Sequence, residues 1–190
     1  SKTFYAKWTA NNYTVTYEYN SATGGNGTAS ASYTTGGTAI TLPTPTKTGY
    51  TFGGWYSDSG LTSSIGAAGD SYSPSGGTLS LNAYAKWTAN TDNAITWDDQ
   101  TPTSASSGGS STYTTDQAVS TIPTTPPTKT GYTFGGWWTG TSGSGTQVTN
   151  GSYTPASPYG SKTFYAKWTA NTNNAITWDD QTPTSASSGG

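Results

Sequence analysis

The sequence predicts a mainly β protein made of small modules in tandem, and three observations carry that expectation. Thr, Ser and Gly supply 92 of the 190 residues. Thr and aromatic side chains favour strands, and the Ala-, Leu- and Glu-rich composition of helices is missing. The apolar inventory is 26 aromatics against 12 branched aliphatics. It predicts a small core of Tyr and Trp, each of which buries a large area. Disorder would need high net charge and few aromatics, and the formal net charge is only -2. Internal repetition is the third observation, and it organises the rest.

Tyr-Ala-Lys-Trp-Thr-Ala-Asn occurs at Tyr5–Asn11, Tyr84–Asn90 and Tyr165–Asn171, at spacings of 79 and 81. Lys-Thr-Gly-Tyr-Thr-Phe-Gly-Gly-Trp occurs at Lys47–Trp55 and Lys129–Trp137, 82 residues apart. The expected organisation is a closing strand of an incomplete preceding repeat (1–10), complete repeats at 11–89 and 90–170, and the opening strand of an incomplete following repeat (171–190). Neither end piece carries the central motif, and terminal repeats of arrays are normally atypical caps. These ends read as interior sequence of a longer array. The absence of Met supports the same expectation of an excerpt.

Within the first repeat, Tyr13–Tyr19 alternates, with Tyr13, Val15, Tyr17 and Tyr19 on one face and Thr14, Thr16 and Glu18 on the other. Leu79–Trp87 alternates as well, setting Leu79, Leu81, Ala83, Ala85 and Trp87 opposite Ser80, Asn82, Tyr84 and Lys86. Shorter strands are expected at Ala39–Leu42, Tyr50–Trp55 and Ile95–Trp97, with turns at Gly24–Gly27, Pro43–Pro45, Pro123–Pro127 and 139–151. A helical turn is expected in Gly60–Gly69. Gly53-Gly54 and Gly135-Gly136 interrupt a strand just before Trp, the pattern of a bulge. The expected repeat core is Tyr50, Phe52, Trp55, Trp87, Tyr132, Phe134, Trp137 and Trp168.

The Tyr-Thr-Val-Thr-Tyr opening, the Gly/Asn turn, the central Lys-Thr-Gly-Tyr-Thr-Phe-Gly-Gly-Trp and the closing Tyr-Ala-Lys-Trp together resemble the Listeria–Bacteroides repeat, the B-repeat of internalin-type surface proteins. The resemblance covers nearly the whole chain. It implies tandem β-grasp-like modules forming an extended array, in secreted bacterial cell-surface proteins assigned to adhesion or spacing. The second repeat departs from the pattern: Asn93-Ala-Ile-Thr-Trp-Asp-Asp99 replaces the Tyr13–Tyr19 opening, and Pro102–Gly109 replaces the Gly-rich turn.

Chemistry is sparse. There is no His, Cys or Arg, so the usual general base, thiolates and the commonest metal ligand are missing. No catalytic, cofactor-binding or metal residues are expected, and no cofactor. Asp98-Asp99 and Asp179-Asp180 are adjacent on a strand and so point to opposite faces, unlike a glycosidase pair. A Ca²⁺ site combining them with Asp58 or Asp70 lacks a ligand loop. Lys7, Lys86 and Lys167 precede each closing Trp; a Lys–Asn cross-link would need a carboxylate like Glu18, which is not repeated. Their simpler role is to protect a strand edge. Gly140–Gly145 lacks the nucleotide-binding glycine and lysine patterns. Asn12, Asn26 and Asn150 begin Asn-x-Ser/Thr triplets, which this much Thr produces by chance.

The expected function is a structural stalk or extracellular filament segment in adhesion, at the cell surface and not an enzyme. Its partners are neighbouring repeats of the same or adjoining chains, with glycans as a further class. Nucleic acid is excluded by the acidic balance (pI ≈ 4.7), and no apolar run long enough for membrane insertion is present in the segment. The alternative is a carbohydrate-binding adhesin module using two outward aromatics, Tyr56 and Trp138.

Overall fold

A computed structural model describes residues 1–75, 79–173 and 175–176. The first repeat contains β1 (Asn12–Glu18), β2 (Gly24–Asn26), β3 (Ser30–Thr34), β4 (Ile40–Thr41) and β5 (Thr44–Thr46). It continues through β6 (Tyr50–Tyr56), β7 (Ser64–Gly66), β8 (Ser71–Tyr72) and β9 (Ser80–Ala89). Its main sheet has the order β3-β1-β9-β6-β7. At the centre β1 runs parallel to β9, and the other pairings are antiparallel. The crossover between the parallel strands is filled by two small ribbons, β2–β5 and β4–β8.

The second repeat contains β10 (Asn93–Asp98), β11 (Thr112–Tyr113), β12 (Tyr132–Trp138), β13 (Gln147–Val148) and β14 (Lys162–Ala170). Its sheet order, β11-β10-β14-β12-β13, reproduces the first, again with a parallel central pair. The divergent opening still forms its hairpin, with Asn93 opposite Tyr113 and Ala94 opposite Thr112. Where the first repeat has the β2–β5 ribbon, the Pro-containing turn leaves two isolated bridges, Ser104–Thr128 and Ser107–Thr125.

Each module packs its own aromatic core. In the first, Trp55 is fully buried among Tyr17 (5.1 Å between ring centres), Tyr19 (5.3 Å) and Phe52 (5.6 Å), and Phe52 meets Trp87 at 5.2 Å. In the second, Trp137 meets Trp97 (5.0 Å) and Phe134 (5.5 Å), and Phe134 meets Trp168 at 5.6 Å. Tilted and edge-on pairs at these separations add about 0.5–1.5 kcal/mol each beyond area burial. Phe52, Trp87, Phe134 and Trp168 are half-buried against the two clusters.

Several expectations need correction, among them the turns at Gly24–Gly27 and Pro43–Pro45, where β2 and β5 pair instead. Tyr132 is not core: it is 43% exposed, and Tyr50 is only half-buried. Both stand at the first residue of their strand, opposite Ala89 and Ala170, beyond the closing Trp where the apolar face ends. Leu79 is exposed and precedes β9. Gly60–Gly69 forms no helical turn. Leu61 takes φ 55, the Asp58 carboxylate accepts the Thr62 and Ser63 N–H groups, and Ser64–Gly66 pairs with β6 instead. Separately from these corrections, residues 1–11 form no strand, and Phe4, Tyr5 and Trp8 are 89–90% exposed. Ser161–Asn171 has the same eleven residues but supplies β14, paired on both sides by β10 and β12. Residues 1–10 have no such flanking strands among the described residues. Of the expected opening strand Ala175–Asp180, residues 177–180 lie outside the described residues, as does the Asp179-Asp180 pair.

Candidate functional site

The repeated motif ends in a bulge. Phe52 and Trp55 are three residues apart, so a regular strand would turn them to opposite faces. Both nonetheless face the core. The register steps from Phe52–Trp87 to Trp55–Ala85, and Gly54 takes φ 103, which an L side chain rarely adopts. Gly136 does the same at φ 89 between Phe134 and Trp137. The extra residue is what brings the motif Trp inward.

It also turns Tyr56 and Trp138 away from the core, and each is half-buried. A lysine from the closing strand covers both. Lys86 Nζ lies 5.1 Å from the Tyr56 ring centre and Lys167 Nζ 5.0 Å from that of Trp138. The lysine stems run over the flat motif: a Cβ on Gly53 would sit 3.2 Å from Lys86 Cγ, and one on Gly135 3.2 Å from Lys167 Cδ. The Trp138 indole N–H already donates to the Gly135 carbonyl at 3.1 Å. Lys7 lies in the exposed segment 1–10, outside any strand.

The motif's first residues fasten the sheet to the end of the opening strand. Lys47 Nζ donates to the Asn20 carbonyl (3.3 Å), and Lys129 Nζ donates to that of Gln100 (3.2 Å). The Trp87 indole donates to the Tyr19 carbonyl (3.0 Å), and that of Trp168 to the Asp99 carbonyl (2.9 Å). Thr48 N–H reaches Thr23 Oγ1, and Thr130 N–H reaches Thr103 Oγ1, both at 3.0 Å. Asn20-Ser21 and Gln100-Thr101 share a left-handed backbone, at φ 50 and 64 and φ 53 and 56. The lysine and tryptophan read backbone carbonyls. Tyr-Asn can therefore become Asp-Gln in the second repeat without loss of the fastening.

The two repeats meet at a defined junction. Thr115 N–H donates to the Asn90 carbonyl at 2.9 Å. The Asn93 amide, 8% exposed, donates to Asn90 O (3.2 Å), Tyr113 O (3.1 Å) and Thr115 Oγ1 (3.1 Å). Tyr50 OH from the first repeat and Tyr159 OH from the second both donate to the Asp116 carboxylate. Those bonds hold the Asp116 carboxyl below its ordinary range, with Tyr159 the larger cause, and Lys47 adds to it. The same bonds push the Tyr159 phenol up to about 12 and the Tyr50 phenol upward. The Tyr159 ring packs on Gly49, where a Cβ would come within 2.3 Å of Cδ2, so the backbone approach requires glycine.

The carboxylates considered as ligands serve turns. Asp98 Oδ1 accepts from Gln100 N–H (2.9 Å), Asp99 Oδ2 from Ser106 N–H (3.0 Å), and Asp70 Oδ2 from Ala67 N–H (2.7 Å). Asp58 is held below its ordinary value chiefly by the Ser63 N–H. Among the described residues no three Asp or Glu cluster as a cation site, and no helix is long and apolar enough to cross a membrane. Sequence reasoning passed over Asp116, Tyr159, Asn93, Thr115 and Gly49. One signal was available: Ser32-Tyr-Thr-Thr-Gly36 recurs as Thr112-Tyr-Thr-Thr-Asp116, and the Gly-to-Asp change is the junction carboxylate.

The Listeria-Bacteroides repeat domain family matches the chain twice, over residues 13–81 and 94–167. The chain belongs to this family. The first matched segment runs from β1 to the start of β9 and the second from β10 into β14. A Gly-rich membrane protein of Evansella cellulosilytica, so named, is 35% identical over 137 residues, 70% of this chain and 14% of its own length. A second protein of that organism, named as a membrane protein, is 31% identical over 171 residues, 88% of this chain and 24% of its own. The chain thus spans less than a quarter of either relative. No solved structure matches it significantly. The family gives the chain the character of a surface-protein module.

Proposed function

We propose that this chain is a structural segment of a secreted bacterial cell-surface protein, acting as a stalk or extracellular filament in adhesion. The observation that carries the reading is the junction. A flexible tether would leave the repeats free to swivel, whereas Asn90, Asn93, Thr115 and the Tyr50–Asp116–Tyr159 set tie them by main-chain and side-chain bonds. The mixed sheet with a parallel central pair supports the β-grasp-like description of each module. Its work is mechanical, and we assign it no reaction and no cofactor.

Because the chain lacks Cys, spin labels can be placed at Ser59→Cys and Thr149→Cys, both exposed positions in different repeats. Pulsed electron-spin distance measurement should give one narrow distribution. A broad one would sink the stalk reading. The carbohydrate-binding alternative is less supported, since lysines cover the Tyr56 and Trp138 rings. Selective binding on a glycan array, lost in Trp138→Ala, would favour it instead.

A further inference from the structure

Both repeats carry the same receiving corner. In the first it is Gly49-Tyr50-Thr51 with Asn90: Asn90 N–H donates to Gly49 O at 3.0 Å, and Thr51 Oγ1 donates to Asn90 Oδ1 at 2.9 Å. In the second it is Gly131-Tyr132-Thr133 with Asn171, whose corresponding bonds are 2.8 and 2.7 Å. Gly49 and Gly131 share the left-handed backbone, at φ 81 and 79. Lysines lie on the tyrosine rings alike, Lys47 at 4.4 Å and Lys129 at 4.9 Å. The corners differ in what covers them. Gly49 is roofed by Tyr159 and Thr115, whereas none of the described residues comes within 4 Å of a Cβ placed on Gly131. Beside it opens a recess of about 490 Å³ lined by Thr133, Ala170, Asn171, Thr172 and Asn173.

We propose that the Gly131–Tyr132 corner is the docking surface for a following repeat of the second type, which seats its copies of Thr115, Asp116 and Tyr159 there. The chain itself points to that occupant: residues 174–190 are identical to 93–109, the head of the second repeat. A repeat of the first type follows the same eleven residues at Ser1–Asn11 and makes the main-chain bond there, Thr35 N–H to Asn11 O at 2.9 Å, but it cannot complete the carboxylate clasp. It has Gly36 at the position of Asp116 and Thr78 at that of Tyr159, so it brings neither the carboxylate nor the second phenol. A second copy of this chain fits no better, because its own first repeat already covers the face that carries Asp116. The array is thereby directional. Each Gly-Tyr corner receives, and the Thr-Asp turn of the next repeat inserts.

The proposal extends the stalk reading and is tested in vitro, apart from it. The chain is lengthened after Gly190 with a copy of residues 110–170, completing a third repeat, and nitration of Tyr132 is compared with that in the 190-residue chain. Docking should slow nitration of Tyr132 by about tenfold or more, the ratio expected from a modest contact energy. Replacing the third repeat's copy of Asp116 by Gly, as at Gly36, should restore reactivity while the third repeat stays folded. Equal reactivity of Tyr132 with and without a folded third repeat would overturn the proposal. A third repeat that stays unfolded beside an intact corner would overturn it too. Either result leaves the Ser59–Thr149 distance, and hence the stalk reading, untouched.

Discussion

Trp55 and Trp137 close the same nine-residue motif, arrive through the same glycine bulge and are 0% and 1% exposed. Their indole N–H groups nevertheless meet different surroundings. Trp55 Nε1 donates to the Pro43 carbonyl at 2.9 Å, within the turn that precedes β5. Trp137 Nε1 is buried and has no partner among the described residues. The comparison separates what the motif supplies from what each repeat adds. Ring burial belongs to the motif. Satisfaction of the polar atom depends on the crossover, which the second repeat has rebuilt around Pro123–Pro127.

The largest expected effect ignores this difference. Trp55→Ala and Trp137→Ala should each destabilise their own module by about 3–5 kcal/mol, the range for a buried aromatic cut to Ala. Denaturant unfolding followed by the remaining tryptophans checks it. A loss under about 1 kcal/mol, the scale of surface changes, in either module would mean the ring is not core there.

Substitution by Phe should split the pair. Trp55→Phe removes volume and strands the Pro43 carbonyl, and an unmade buried hydrogen bond costs about 1–3 kcal/mol. Trp137→Phe removes volume but also deletes an unpaired buried donor. The first should therefore be the more costly by roughly 1 kcal/mol or more. Equal losses would show that the Trp137 N–H has a partner, such as an ordered water.

The glycine corners give a smaller contrast. Ala at Gly131 should cost only the left-handed backbone penalty, about 1–2 kcal/mol, since its surroundings are open. Ala at Gly49 carries that penalty and also collides with Tyr159 and Thr115. Its distinctive readout is the distance between Ser59→Cys and Thr149→Cys, which should broaden in Gly49→Ala and stay narrow in Gly131→Ala.

How far the sequence shows these differences depends on the range of the interaction. Alternation placed Tyr13, Val15 and Tyr17 on the buried face of β1, and Gly-Gly before Trp marked the bulge, because both are local consequences of strand geometry. Residues 1–11 and 161–171 show the limit. Identical residues form a central strand where β10 and β12 flank them and no strand where nothing does. Tyr132 looked like core because its motif neighbours are core, yet it stands past the end of the apolar face. The junction was hidden for a related reason. Asp116, Tyr159 and Gly49 lie far apart in sequence, and their meeting depends on how two folded modules abut.

The smallest effect is a change of junction rigidity with pH, and its sign follows from the three hydroxyl and carboxyl groups at Asp116. The Tyr159 phenol is raised to about 12, so the folded junction holds that proton more tightly than the unfolded chain does. Its contribution is complete below about pH 10, the ordinary Tyr value, and is lost as pH rises through about 12. Asp116 is shifted the opposite way. Its contribution is present above the ordinary Asp value, about 3.9, and is lost as pH falls through the lowered one. Asp116 is solvent-exposed and Tyr159 half-buried, so screening keeps the effect modest. The Ser59–Thr149 distance distribution should thus be narrow from about pH 5 to 9 and broaden toward both extremes, windows set by those ordinary values. Asp116→Asn should abolish the acid-side change, and Tyr159→Phe should remove the phenol that ionises last in tyrosinate absorbance. If that absorbance shows no phenol titrating near pH 12 in the parent chain, Tyr159 does not donate to Asp116, and the junction is held by the Tyr50–Asp116 bond with Asn90, Asn93 and Thr115.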